Sequence, residues 1–205
     1  MELPEGGKKV GVKWIYKMKF NENGEVDKYK ARLVVDYTEV SAPVTRMETI
    51  RLVVALVAQR GWSIYQLNVK SAFLYGDLNE EVFVEQPCGY VQKGHEQKVY
   101  KLKNAFYGLK QALHAWYSRI EAYFMKGGFE KCDYEHTLFI QRGKEAKVLI
   151  VSLYVDDLMF TGNDELIFTE FKNSMKNEFD MTYLDKMRYF LGLEVLQKSS
   201  GIFIS

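Results

Sequence analysis

Val148-Leu149-Ile150-Val151-Ser152-Leu153-Tyr154-Val155-Asp156-Asp157-Leu158-Met159-Phe160 is the stretch on which the fold turns. Two apolar runs, rich in β-branched and aromatic residues, flank an acidic pair. They predict a strand over 147–155, a tight corner at Asp156-Asp157 and a return strand over 158–161. Adjacent acids are expected by chance in a chain with 27 of them, and Glu80-Glu81 and Asp164-Glu165 are such pairs. The apolar context sets Asp156-Asp157 apart. Two carboxylates at a corner between buried strands repel each other, so a compensating charge is expected, typically a divalent cation. An acidic turn open to water is the alternative.

Working outward, residues 137–141 pair with 147–155 across Arg142-Gly143-Lys144. Before them, residues 109–125 form an amphipathic helix with Leu109, Ala112, Trp116, Ile120 and Phe124 on one face and Gly127-Gly128 as its stop. After the corner, Asn163 is placed to cap a helix reaching Phe179. Residues 187–196 and 202–205 then form a last hairpin around Ser199-Ser200-Gly201. Nearer the N-terminus, a helix over 48–59 ends at Gly61. It is followed by strands over 62–69, 81–86 and 99–102, with a short helix or turn at 71–75. The first element is a hairpin, 12–20 and 25–35 around Asn23-Gly24. Its Lys13, Lys17, Lys19, Lys28, Lys30 and Arg32 form a basic strip. Such a strip is either a solvated, edge-protecting face or a phosphate-facing one. Strands joined by short turns outnumber helices, so the expected class is α+β, an antiparallel sheet with helices on one face.

Composition narrows the function. Of 205 residues 47% are apolar, 27% are charged and three are Pro, which is globular composition. Lys and Arg exceed Asp and Glu by 28 − 27 = +1, so any polyanion must be held by a local groove rather than by bulk charge. Two cysteines, Cys88 and Cys132, cannot build a disulfide framework, and with His95 and His136 they match no zinc-finger spacing. No signal peptide and no apolar run near the ~20 residues of a bilayer span is visible, so no membrane partner is expected. Walker-type, dinucleotide-binding, Gly-x-Ser-x-Gly and His-Glu-x-x-His motifs are absent from the sequence.

Tyr154-Val155-Asp156-Asp157 resembles the metal-binding corner of reverse transcriptases. The run from Gln66 to Gly76, with Asn68-Val69-Lys70-Ser71-Ala72-Phe73 at its centre, is similar to the first catalytic motif of the copia type. The run from Lys103 to Ala112, followed by Ala115-Trp116-Tyr117, resembles that family's nucleotide-contacting helix. Tyr29 to Val34, Ala42-Pro43-Val44 and Tyr189 to Val195 fit in order. The chain is thus identified as a member of the Ty1/copia-type retrotransposon reverse transcriptases, over essentially its whole length.

The resemblance implies a right-hand polymerase palm with partial fingers and no complete thumb. Residues 1–60 would be a fingers-like hairpin with its connecting helix. Residues 61–205 would be palm, with fingers elements around 80–105 and a primer-grip hairpin near 187–205. It implies RNA-directed DNA polymerase (nucleotidyltransferase) chemistry on an RNA/DNA primer–template and dNTP, with two Mg²⁺ ions. RNase H and integrase segments would belong to the rest of the polyprotein, and the location would be a cytoplasmic particle or the nucleus. By position, Asp156 and Asp157 would be metal ligands, joined by the backbone carbonyl of Val69. Phe73, Gln111, Lys30 and Arg32 would contact the nucleotide, and Tyr189, Phe190, Leu191 and Gly192 would grip the primer. The departures matter. Asn68 stands where the family has its first catalytic Asp, the stretch 35–37 is shortened, and Ser41, Leu113, His114 and Asp185 also differ from the family pattern. They imply an impaired polymerase, or a non-catalytic remnant that at most binds nucleic acid weakly.

Overall fold

The computed structural model describes residues 1–20, 24–35, 45–198 and 201–205. Asn23 of the expected turn, the shortened stretch beyond Val35, Ser41, Ala42-Pro43-Val44 and Ser199-Ser200 lie outside the described residues. In chain order the elements are β1 (Lys9–Val10), β2 (Val12–Phe20), β3 (Val26–Val35), α1 (Met47–Arg60), β4 (Ile64–Val69), β5 (Phe83–Val84) and β6 (Tyr100–Lys101). There follow α2 (Ala112–Lys126), β7 (Glu130–Lys131), β8 (Leu138–Arg142), β9 (Val148–Tyr154), β10 (Asp157–Gly162), α3 (Glu165–Glu178), β11 (Met181–Lys186), β12 (Tyr189–Phe190), β13 (Leu193–Lys198) and β14 (Gly201–Ile204). A single 3-10 turn, Ala72–Tyr75, follows β4. The class is α+β. No described helix is long and apolar enough to cross a membrane.

The chain forms two compact units, residues 1–42 with 73–119 and residues 43–72 with 120–205. This division does not coincide with the expected boundary at 60/61. Helix α1 buries Ile50, Val53, Val54 and Val57 among Ile64, Met159, Met187, Phe190 and Val195, all in the second unit.

The second unit is built on a six-stranded antiparallel sheet in the order β11-β4-β10-β9-β8-β7. Helices cover both of its faces, which corrects the expectation of one. Ile64 and Met159 point into the α1 cluster. Their neighbours Tyr65 and Phe160 stack together on the opposite face, with Phe168 and Phe171 of α3 against them and Phe124 of α2 against Phe139 of β8. A strand buried on both faces has no polar side to show, so its sequence is continuously apolar rather than alternating. The last hairpin also differs from expectation. Residues 187–196 are not one strand: the chain reverses at Leu191-Gly192, where both φ are positive (52° and 87°), and β12 pairs with β13. Asn163 does not cap α3. Asp164 does, its carboxylate accepting the Ile167 N–H at 3.0 Å, while Asn163 Oδ1 accepts from Val148 N.

In the first unit β2 and β3 form an isolated two-stranded ribbon. Period-2 alternation sorts its side chains. Trp14, Tyr16, Met18 and Phe20 share one face with Tyr29 and Leu33, while Lys13, Lys17, Lys19, Lys28, Lys30 and Arg32 share the other. Trp14 is covered at the ribbon's base, its ring near Tyr90 and its indole N–H donating to the Cys88 carbonyl. Tyr16, Met18, Phe20 and Tyr29 stay exposed.

Candidate active site

β4 and β10 are direct antiparallel partners, with Asn68 opposite Asp157 and Gln66 opposite Met159. Alternation therefore brings Gln66, Asn68 and Asp157 onto the α1 face of the sheet, beyond the end of the α1 cluster. The Val155-Asp156 corner joins β9 to β10, with Tyr154 opposite Asp157. Val155 is held at φ 55°, a conformation that costs a β-branched residue of order 1–3 kcal/mol and survives only where the flanking strands dictate it. The corner is further pinned by Val69, whose N–H donates to the Asp156 carbonyl at 2.8 Å.

Asn68 Nδ2 donates to Asp157 Oδ1 at 2.9 Å and lies 3.5 Å from the Asp156 carbonyl. Gln66 Nε2 approaches the same Oδ1 at 3.5 Å, a long, weak contact. Facing two acceptors, the Asn68 amide can offer only its NH₂, because its oxygen would meet negative charge. Burial pushes the Asp157 carboxyl above the usual range and Asp156 adds to the rise, while the Asn68 and Gln66 amides pull the other way.

Phe190 lies in the α1 cluster, its ring 6.2 Å from Tyr154, so β12 packs beside the base of the corner; Tyr189 is exposed. The hairpin is fixed to β4 by Gln197. Its side chain accepts from Ile64 N at 2.9 Å and donates to the Ile64 and Met187 carbonyls at 3.0 and 2.9 Å, standing in for a missing strand partner.

The other candidate residues belong to the first unit. The Arg32 guanidinium lies 4.0 Å from the Tyr107 ring centroid, and Phe73, itself buried, meets the same ring edge-on at 4.5 Å. Tyr107 thus joins Arg32 and Phe73. Lys30 lies two residues along the same ribbon face, opposite Lys17. Gln111 precedes α2, its carbonyl accepting the Ala115 N–H at 2.8 Å. Gln66 and Tyr107 lay inside the quoted motifs without being singled out. Alternation along β4, which gives Gln66 and Asn68 a common face, is the signal that could have found the first.

A pair of divalent ions requires several hard oxygen ligands, and Mg²⁺ alone takes six in octahedral geometry. The corner offers two carboxylates, one of them already accepting an amide, and an NH₂ at the third position. Among the described residues no group of three or more His, Cys, Asp or Glu is placed to hold a metal ion. The residues present do not fit a two-metal site.

The sequence model of the family described as reverse transcriptase (RNA-dependent DNA polymerase) matches residues 1–205. The chain is 37% identical over 206 residues to the retrovirus-related Pol polyprotein from transposon RE2 of Arabidopsis thaliana, covering 96% of this chain and 14% of that protein. It is 34% identical over 210 residues to the corresponding polyprotein from transposon TNT 1-94 of Nicotiana tabacum, covering 98% of this chain and 16% of that protein. The transposon Ty1-NL2 Gag-Pol polyprotein of Saccharomyces cerevisiae is 28% identical over 153 residues, 71% of this chain and 8% of its own length. The chain therefore spans about a seventh of the plant relatives it matches.

Proposed function

Because the chain belongs to the reverse transcriptase (RNA-dependent DNA polymerase) family, as a copia-type domain, we propose that it is the palm and fingers of a retrotransposon polymerase whose nucleotidyl transfer is impaired at Asn68. The second unit is the palm, with β12 and β13 as its primer-grip hairpin. The first unit supplies the fingers, where Lys30, Arg32, Phe73 and Gln111 meet the nucleotide. One observation carries the impairment: Asn68 turns an N–H donor toward Asp157 where the family supplies a third carboxylate. Losing a charged group at such a site, worth about 4 kcal/mol of transition-state stabilisation, slows turnover about a thousandfold. Single-nucleotide primer extension on an RNA template tests this with the chain, Asn68→Asp, and Asn68→Asp with Asp156→Asn, at equal folded concentration. Weak extension by the chain, a gain in the single variant and loss of that gain in the double variant are expected. Robust extension by the unaltered chain would overturn the impairment.

The ribbon favours a second reading, a nucleic-acid-binding remnant. Lys17 lies directly opposite Lys30, and Lys19 opposite Lys28. A basic face of this kind can track phosphates, and the reverse face exposes Tyr16 and Tyr29, the type of ring on which unpaired bases stack.

A further inference from the structure

We infer that the Asp156-Asp157 corner holds its charge without a divalent cation, the Asn68 amide supplying the positive end that a metal would supply. The inference deepens the proposed reading and rests on it for the comparison with a metal-bearing corner, but its geometry is this chain's own. Asp157 Oδ1 receives Asn68 Nδ2 at 2.9 Å, and the same NH₂ faces the Asp156 carbonyl. Gln66, 8% exposed, brings a second NH₂ to 3.5 Å from that oxygen. The corner is then closed from below by the Val69 N–H on the Asp156 carbonyl. The two side-chain partners of the Asp157 carboxylate are N–H donors, the chemistry that stabilises a carboxylate in place of a cation, while the contacts to the Asp156 carbonyl pin the turn beneath it. A carboxylate put at position 68 would lie directly across the strand pair from Asp157, in partly buried surroundings, with only the long Gln66 contact left as a donor. That repulsion would weaken the end of the β4–β10 pairing unless an ion offset it. Asn68 therefore makes the sheet metal-independent, and Gln66 supports it as a positioning residue.

Thermal unfolding separates this from polymerase activity. The chain, Asn68→Asp, and the exchange variant Asn68→Asp with Asp157→Asn are each melted in EDTA and in Mg²⁺, with NaCl at matched ionic strength as control. The unaltered chain should melt at the same temperature in all three. Asn68→Asp should melt lower in EDTA and recover in Mg²⁺. The exchange variant keeps one amide and one carboxylate on the same cross-strand pair, so its Tm should ignore Mg²⁺ and exceed that of Asn68→Asp in EDTA. A Tm of the unaltered chain that climbs with Mg²⁺ beyond the salt control overturns the inference. So does an Asn68→Asp protein as stable in EDTA as its parent, or one that Mg²⁺ fails to restore. If Asn68→Asp does not fold in any buffer, the exchange variant decides: folded and Mg²⁺-indifferent supports the inference, unfolded overturns it. None of these readings changes if primer extension fails, because the melts contain no nucleic acid.

Discussion

Glu135 shows how one side chain can secure the start of a helix that lacks its own cap. Arg46, at the N-cap of α1, makes no side-chain cap. Instead Glu135 Oε2 accepts from the Thr49 hydroxyl at 2.9 Å and the Arg46 N–H at 3.4 Å, while Oε1 accepts the Thr137 hydroxyl at 2.7 Å. Beneath it, the Thr45 hydroxyl donates to the Leu153 carbonyl at 2.6 Å, three residues from Asp156. Burial alone would raise the Glu135 carboxyl, but those hydrogen bonds outweigh it and hold the group below its usual range. A carboxyl depressed in the folded state stabilises above its unfolded pKa of about 4.3, and that stability is lost as pH falls through the folded value. Glu135→Gln should cost about 1–2 kcal/mol at neutral pH, and the gap from the parent should close below pH ~4. Urea melts of both proteins from pH 3 to 7 measure the difference, in which the opposing titration of Asp157 cancels. A constant gap would remove the ionised cap. Asn68 and the Asp156-Asp157 corner were each singled out in a motif of their own, but the contact of Asn68 with Asp157 comes from the pairing of β4 with β10. Glu135 was not, since a lone acid in Asp133-Tyr134-Glu135 has no spacing that marks it as a cap for a helix nearly ninety residues earlier.

At the scale of elements, the long strands and helices were legible from their periodicity, the strands expected over 81–86 and 99–102 shrink to the two-residue β5 and β6, and β1 and β7 are two-residue pairings that no pattern that short can announce. The second helical face of the sheet was written in the nearly continuous apolar run of β9 and missed because strands joined by short turns point to helices on one face. Glycine sets a tighter constraint. Gly108 has φ +91°, and a Cβ there would lie 2.5 Å from the Val35 carbonyl oxygen at the end of β3, where the Val35 N–H also donates to the Tyr107 carbonyl. Gly108→Ala should therefore destabilise the chain by about 1–3 kcal/mol, read as a lowered Tm, through strain and overpacking together. An unchanged Tm would mean the ribbon is not seated on this segment. The ribbon itself predicts a division of labour. Tyr16→Ala with Tyr29→Ala should weaken binding to single-stranded RNA at every salt concentration, by about 1–3 kcal/mol for each stacked base lost. Lys17→Gln should instead flatten the slope of log K against log salt by about 0.7. Fluorescence anisotropy at four salt concentrations distinguishes them, and equal effects on slope would contradict the two-faced ribbon.

Taken whole, the molecule is nearly neutral and strongly uneven. β2 and β3 carry six Lys or Arg and one Asp, 6 − 1 = +5, so the rest of the +1 chain sums to 1 − 5 = −4. Retention on a cation exchanger at pH 7 and low salt is expected from the ribbon alone. Lys17→Gln, Lys19→Gln and Lys28→Gln together take the net charge to 1 − 3 = −2 and should abolish it; retention of the triple variant would place the adhesive charge elsewhere. The order β11-β4-β10 has a consequence in time. Asn68 and Asp157 are 89 residues apart in sequence yet adjacent in the sheet. A ribosome adding about 5–20 residues per second needs roughly 4–18 s to deliver the second after the first. Throughout that interval the nascent β4 has neither neighbour, and its apolar residues are open to any chaperone or sticky surface nearby. The strand that carries Asn68 is made early and folds late.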